Sequence, residues 1–499
     1  MMGSSSFQWI DHMVLIFNRH YLFGLLIVVA LLAMYYGSII GTYGYADDYP
    51  MLTGAQSPNS WFHVLYSQNG RIFLGWYTKA VFQWAGSIEG LRFIRLSILL
   101  QLILMGWLVY AHLFRINVSR SYAALIAVLV VSLPPFEIMA AWAGLGITVL
   151  ASALTYPAYR LITLHSDLRS GRTYIAWAAA ITIMWVVFNI YQPSAMFFWF
   201  WVAADVLFQT ETLRKQLIKI LKLGTVFAIS GMVYFTIYKA QGLVAQRTSL
   251  AGNYLEKAVW FITDAVPSTF NFHFIEWPIW TGALLLLLCI VAIVIFDPEP
   301  LRLRLARLAI VLVLLVFSYT VNLVVGESCA LYRTRVALMS VAALILCYAL
   351  CLTGQNIKVA GKRATAVLLI AVAMVATCKA TYNVLHYIVF PQVIEYSLLR
   401  SQLRHFDPAV HRKVYFIPPP FGPALVDQHY YMEFGTPSSC LPAEWGIQQS
   451  MVVLGLQRLF PDRKNDFSLS NVVVIGNHSQ ADSDPTALVV DLHDLSAFR

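Results

Sequence analysis

The chain has 499 residues, 59% hydrophobic and 12% charged, with a mean hydropathy of +0.66 and a formal charge of +9. Soluble domains are about half apolar and about a quarter charged, so these figures exclude a water-soluble globule and a disordered chain. Six cysteines in this length exclude a disulfide scaffold.

A membrane-crossing helix needs about 20 mainly apolar residues. Eleven spans are predicted, over 19–41, 93–114, 121–136, 144–163, 174–190, 194–209, 223–240, 277–296, 307–325, 336–353 and 364–388. The first is followed by Gly41-Thr42-Tyr43-Gly44-Tyr45-Ala46-Asp47-Asp48, which lacks a small-x-small cleavage site, so it reads as a retained span. Between the first two spans, Arg71 to Lys79 carries Trp76 and Tyr77 in the pattern of an interfacial helix. From about Gln392 charges and turns multiply, and Val472–Ile475 and Ala487–Val490 read as strands. The expectation is an all-α polytopic membrane protein: a membrane domain over 1–390, then a small α/β domain over 391–499. With the N-terminus inside, sixteen Lys and Arg fall on inner segments and nine on outer ones, tail excluded. That follows the positive-inside rule. An odd span count then places the tail outside. Basic residues confined to short loops point to membrane orientation and away from nucleic acid.

The unusual polar residues gather on the outer side. Asp47 and Asp48 follow the first span between aromatics, and either can serve as a general base on a hydroxyl or as a helix cap. Arg71 can bind an acidic headgroup or snorkel. Tyr332, Arg333 and Arg335, with Glu327 nearby, open the tenth span. Arginine's planar fork suits phosphate oxygens. Glu137 follows Pro134-Pro135-Phe136, and Gln192 sits in the tight turn Tyr191-Gln192-Pro193-Ser194. His273 and Glu276 have no second histidine at ligand spacing, so neither a metal nor another cofactor is expected. Cys329 and Cys440 would both lie outside, where an oxidising compartment permits a disulfide.

Four landmarks in order carry a resemblance: Asp47-Asp48 with Gly70-Arg71, Pro135-Phe136-Glu137, Tyr191-Gln192, and Tyr332-Arg333-Thr334-Arg335. Together, over roughly residues 15–390, they resemble the polytopic glycosyltransferases of the GT-C type, and within them the serotype-converting O-antigen glucosyltransferases. Where that family usually reads Glu-Asn-Leu, this chain has Glu137-Ile138-Met139. The resemblance implies transfer of a sugar from an undecaprenyl-phosphate donor to an O-antigen or other lipid-linked glycan at the periplasmic face of a bacterial inner membrane. It implies inversion at the anomeric carbon, with a donor synthase and a donor flippase as functional partners. Asp47 or Asp48 would be the base, Arg71, Arg333 and Arg335 would hold the donor phosphate, and Glu137, Gln192, Glu327 and Tyr332 would bind substrate. The competing expectations are another lipid-linked transferase, of aminoarabinose, mannose or arabinose, and a polysaccharide flippase. No internal repeat of the kind transporters carry is seen.

Overall fold

The computed structural model describes residues 5–57, 61–165, 170–209, 211–242, 249–328, 330–356, 361–419, 433–476, 484–493 and 495. Its helices in chain order are α1 (Ser5–Ile40), α2 (Asp48–Ala55), α3 (Trp61–Gln68), α4 (Ile72–Ala85), α5 (Leu91–Arg115), α6 (Arg120–Val131) and α7 (Pro134–Ala141). There follow α8 (Thr148–Leu164), α9 (Gly171–Ile190), α10 (Gln192–Ala195), α11 (Phe198–Phe208), α12 (Leu213–Ala240), α13 (Tyr254–Trp260) and α14 (Val266–Thr269). The last are α15 (Ile279–Phe296), α16 (Leu301–Phe317), α17 (Thr320–Val324), α18 (Val336–Gln355), α19 (Gly361–Tyr382), α20 (Phe390–Leu403) and α21 (Ile447–Leu459).

Among the described residues, eight helices are long and apolar enough to cross a membrane. The bent pair α6–α7 makes a ninth if it is one span. Its 59° break has a cause in the sequence. Pro134 and Pro135 open α7, and a proline lacks the N–H and the room to continue α6. Leucines and isoleucines stay exposed along α12 and α15, among them Leu221, Leu284, Leu287 and Ile295. Apolar surface on that scale needs a lipid solvent. The protein is thus a helical membrane protein, and among the described residues eight of the eleven expected segments, nine with the bent pair, are helices that meet this length and composition. The segment 194–209 forms α10 and then α11, whose 11 residues rise only about 16 Å. All of α11 but its last residue is buried, so its hydrophobicity serves packing within protein. The segment 307–325 divides at Ser318 into the 17-residue α16 and the short α17.

At the centre stands α18, buried along most of its length and packed against α11, α15, α16 and α19. α1 leads into the bundle beside α5 and α6. α4 buries Leu74, Gly75, Thr78 and Phe82 and exposes Trp76 and Trp84. That is the two-faced pattern of a helix lying along the interface.

A π-helical turn over Asn383–Val389 joins α19 to α20 without a break, so the expected boundary at residue 391 falls inside a continuous helical run. Beyond it come β1 (Lys413–Ile417), β2 (Val472–Val474) and β3 (Ala487–Asp491). They form a parallel sheet in the order β2-β1-β3, with Val414 facing Val472 on one side and Leu488 on the other. Parallel neighbours need long crossovers, and α21 supplies the one from β1 to β2. α21 also packs against α2 and α20, which seats the tail on the membrane helices.

Candidate functional site

The site forms at the end of the bundle where α1 and α9 finish and α5 and α18 begin. The turn after α1 is held locally: the Tyr45 N–H donates to Asp48 Oδ2 (3.0 Å), and the Gly44 N–H to the Tyr49 hydroxyl (3.2 Å). It is also held from far along the chain. The Tyr45 hydroxyl donates to the Glu433 carbonyl (2.7 Å), and the Ala46 N–H to Ser438 Oγ (2.9 Å).

These contacts separate the two adjacent carboxylates. Asp48 is fully buried and pairs with the equally buried Arg95 at 3.3 Å. Its Oδ1 accepts from the Gly144 N–H (2.8 Å). Arg95 further donates to the carbonyls of Ala141 (3.0 Å) and Tyr43 (2.8 Å), and its guanidinium lies 3.7 Å from the Tyr43 ring centroid. Burial pushes Asp48 up to about 6, against the pull of Arg95 and the amides of Gly144, Tyr45 and Ala143. Asp48 therefore ties the turn to α5 and to the α7–α8 junction. It has no open face for a substrate, contrary to its reading as a candidate base. Asp47, at the start of α2, is half-buried and acts electrostatically on Arg333 and Tyr66.

Arg71 reaches the same place from the start of α4. Its Nε donates to Gln192 Oε1 (3.1 Å), and its guanidinium lies 4.8 Å from the Tyr191 ring centroid. Gln192 Nε2 bonds in turn to the Tyr234 hydroxyl (2.7 Å) and to the carbonyls of Asn69 (3.1 Å) and Gly70 (3.2 Å). Gly70 has φ +69°, and a Cβ there would stand 2.1 Å from the Tyr234 oxygen. Only glycine fits both the conformation and the space.

Arg333 arrives from the turn before α18. It pairs with Glu433 at 3.0 Å, and its guanidinium lies 4.8 Å from the Trp142 ring centroid. Glu433 also accepts from the Tyr332 N–H. Burial would lower the Arg333 pKa, but Glu433, Tyr191 and Asp47 together hold it above its usual range. Burial raises Glu433 above the ordinary carboxylate range against the pull of Arg333 and the Tyr332 N–H. Tyr66 sits where all these fields meet. Burial, then Asp47, push its phenol well up, while Arg71 and Arg333 pull it back.

The remaining sequence candidates lie elsewhere. Arg335 is fully buried, donates to Ser268 Oγ (2.9 Å) and lies 4.2 Å from the Tyr332 ring centroid. It packs α14 against the start of α18 and, like Asp48, presents no open face. Tyr332 is buried too, edge-on to Phe434. Glu137 is buried on α7 with its Oε1 2.9 Å from His273 Nδ1. Burial, then Lys379, hold His273 down at about 3, so this contact is a hydrogen bond with a neutral imidazole. Glu327 is exposed and pairs with neither arginine; its carbonyl accepts from Lys257. Cys440 is buried, while Cys329 lies outside the described residues. Among the described residues no three His, Cys, Asp or Glu gather as a metal would need.

The constellation is therefore Asp47, Tyr66, Arg71, Tyr191, Gln192, Arg333 and Glu433. Sequence reasoning missed Glu433 and Tyr66. Tyr66 had a local signal, five residues before Arg71, whose N–H donates to the Tyr66 carbonyl (2.8 Å). Glu433 had none, being 100 residues from its arginine. No protein-family model matches the chain, and no curated protein matches it.

Proposed function

We propose that the protein is a lipid-linked glycosyltransferase of the GT-C type. In this reading it moves a glucosyl residue from undecaprenyl phosphate to an O-antigen glycan at the periplasmic face of a bacterial inner membrane. The observation that carries it is the convergence of a carboxylate and two guanidiniums around Tyr66 and Tyr191. They come from Asp47, Arg71 and Arg333, which are far apart along the chain.

The chemistry needs a base for the incoming hydroxyl and positive charge for the departing phosphate. Asp47 takes the proton of the acceptor hydroxyl as its oxygen bonds to the anomeric carbon. The bond from that carbon to the phosphate oxygen breaks, and the lipid phosphate leaves with the electron pair. Displacement from the opposite face inverts the centre and calls for no enzyme nucleophile. Arg71 is the better placed phosphate ligand, since its Nε is fixed by Gln192 while Arg333 is already engaged by Glu433. Arg333 then supplies field and holds the tail over the site. Positioning of both substrates supplies much of the rate. The N-terminus lies in the cytoplasm and the sheet of the tail in the periplasm.

The test is purified protein incubated with a panel of polyprenyl-phosphate sugars and O-antigen acceptors, read by mass spectrometry. A gain of one hexose on an acceptor, dependent on the lipid donor, is expected. Unmodified acceptors across the panel would refute the reading.

A further inference from the structure

A second polar site lies at the opposite end of the same helices. Arg95 and Arg115 are 20 residues apart on α5, about 30 Å of helix, which is the thickness of a hydrocarbon core. Around Arg115 the ends of α5 and α8 and the start of α12 enclose a cavity of about 420 Å³. Arg115, Arg160, Lys215, Lys219 and Lys222 line it, against the single carboxylate Glu211. Arg115 and Arg160 are close enough to repel one another. Lys219 is balanced below by Asp205 and Gln209. The floor is polar as well: Asp205 accepts from the Tyr159 hydroxyl and lies 3.3 Å from His112 Nε2. The His112 Nδ1 is buried in the lining with no hydrogen-bond partner among the described residues. The N-terminal end of α12, which also favours anions, opens on the same side. Ile116, Leu164 and Ile218 add an apolar wall.

We infer that this cavity binds the phosphate headgroup of an anionic membrane lipid on the face opposite the Asp47 site. Surplus positive charge that repels itself is stabilised by an anion. The depth at the ends of three helices, with apolar side chains beside the cations, fits a ligand whose tails stay in the bilayer. This holds whether or not the protein transfers sugar.

The test uses the full chain in detergent, titrated with tail-matched phosphatidylglycerol or phosphatidylcholine, with bound lipid counted by native mass spectrometry. Phosphatidylglycerol should bind the tighter. Arg115 and Lys215 are both exposed, so their replacement leaves the core intact. Arg115→Gln and Lys215→Gln should each weaken phosphatidylglycerol about fivefold, and the pair about thirtyfold. Lys239→Gln, an exposed cation at the other end of α12, should leave it unchanged. Equal binding of the two lipids overturns the proposal, as does an unaffected double variant of wild-type melting temperature. Displacement of the lipid by equimolar glycerol 3-phosphate would make this a site for a free phosphate and overturn the lipid assignment.

Discussion

Asp47 and Asp48 are neighbours with the same chemistry, and the structure assigns them opposite consequences on mutation. Asp48→Ala removes a buried ion-pair partner and leaves Arg95 charged inside the protein, a change that costs about 3–5 kcal/mol. The amides of Tyr45 and Gly144 lose their acceptor at the same stroke, an overlapping loss of roughly 1–3 kcal/mol each. Set against the ~5–15 kcal/mol that holds a typical domain folded, this should empty the folded fraction in detergent. Asp47→Asn alters a half-buried helix start and should change stability by no more than about 0.5 kcal/mol. If the protein is the transferase proposed above, it should instead lower sugar transfer by about 10²–10⁴. The assays are the apparent melting temperature by size-exclusion survival in one detergent, and turnover per folded molecule. A third variant, Asp48→Leu with Arg95→Met, removes both charges and should regain most of the lost stability. A stable but inactive Asp48→Asn beside a fully active Asp47→Asn would refute the assignment.

The same carboxylate sets a pH dependence. Because its folded pKa is raised, from 3.8 to about 6, its contribution to stability is fully present below pH ~4 and lost as pH rises through 6. The loss amounts to roughly 3 kcal/mol. Asp48→Asn should flatten that part of the melting-temperature profile; an unchanged slope between pH 4 and 7 would contradict the burial argument. Gly70→Ala should cost at least ~1 kcal/mol and reduce transfer, by displacing Tyr234 and with it the Gln192 that fixes Arg71. Kinetics as in the wild type would show that this network does not position Arg71. Glu433→Gln keeps the shape but removes the charge facing Arg333, so proteolysis between α20 and α21 should speed up several-fold while the membrane helices resist. Equal cleavage rates would remove Glu433 as the clasp.

Much of this geometry was legible in the chain because it rests on local order. Span ends set the side of the membrane, and Asp47, Arg71, Gln192 and Arg333 all follow or precede span ends on one side. The separation of Asp47 from Asp48 was not legible, since it depends on Arg95, one helical turn inside α5, where a basic residue reads as a mere flank. The burial of Arg335 was not legible either: two residues from Arg333, it packs against Ser268 and Tyr332 inside the protein. At α11 hydropathy alone reports burial and does not tell a protein core from lipid. Glu433 depends on a pairing across 100 residues and on a tail whose helices and strands carry no charge pattern directed at the membrane domain.

The turn at Tyr45 and Ala46 is fastened by partners 388 and 392 residues downstream. On the ribosome, therefore, the first loop to leave the membrane waits through nearly the entire synthesis before its clasp exists. A nascent chain arrested anywhere before residue 433 can insert its helices yet hold an unfinished centre. The centre is thereby complete only once the tail has been made and has docked on the turn after α1.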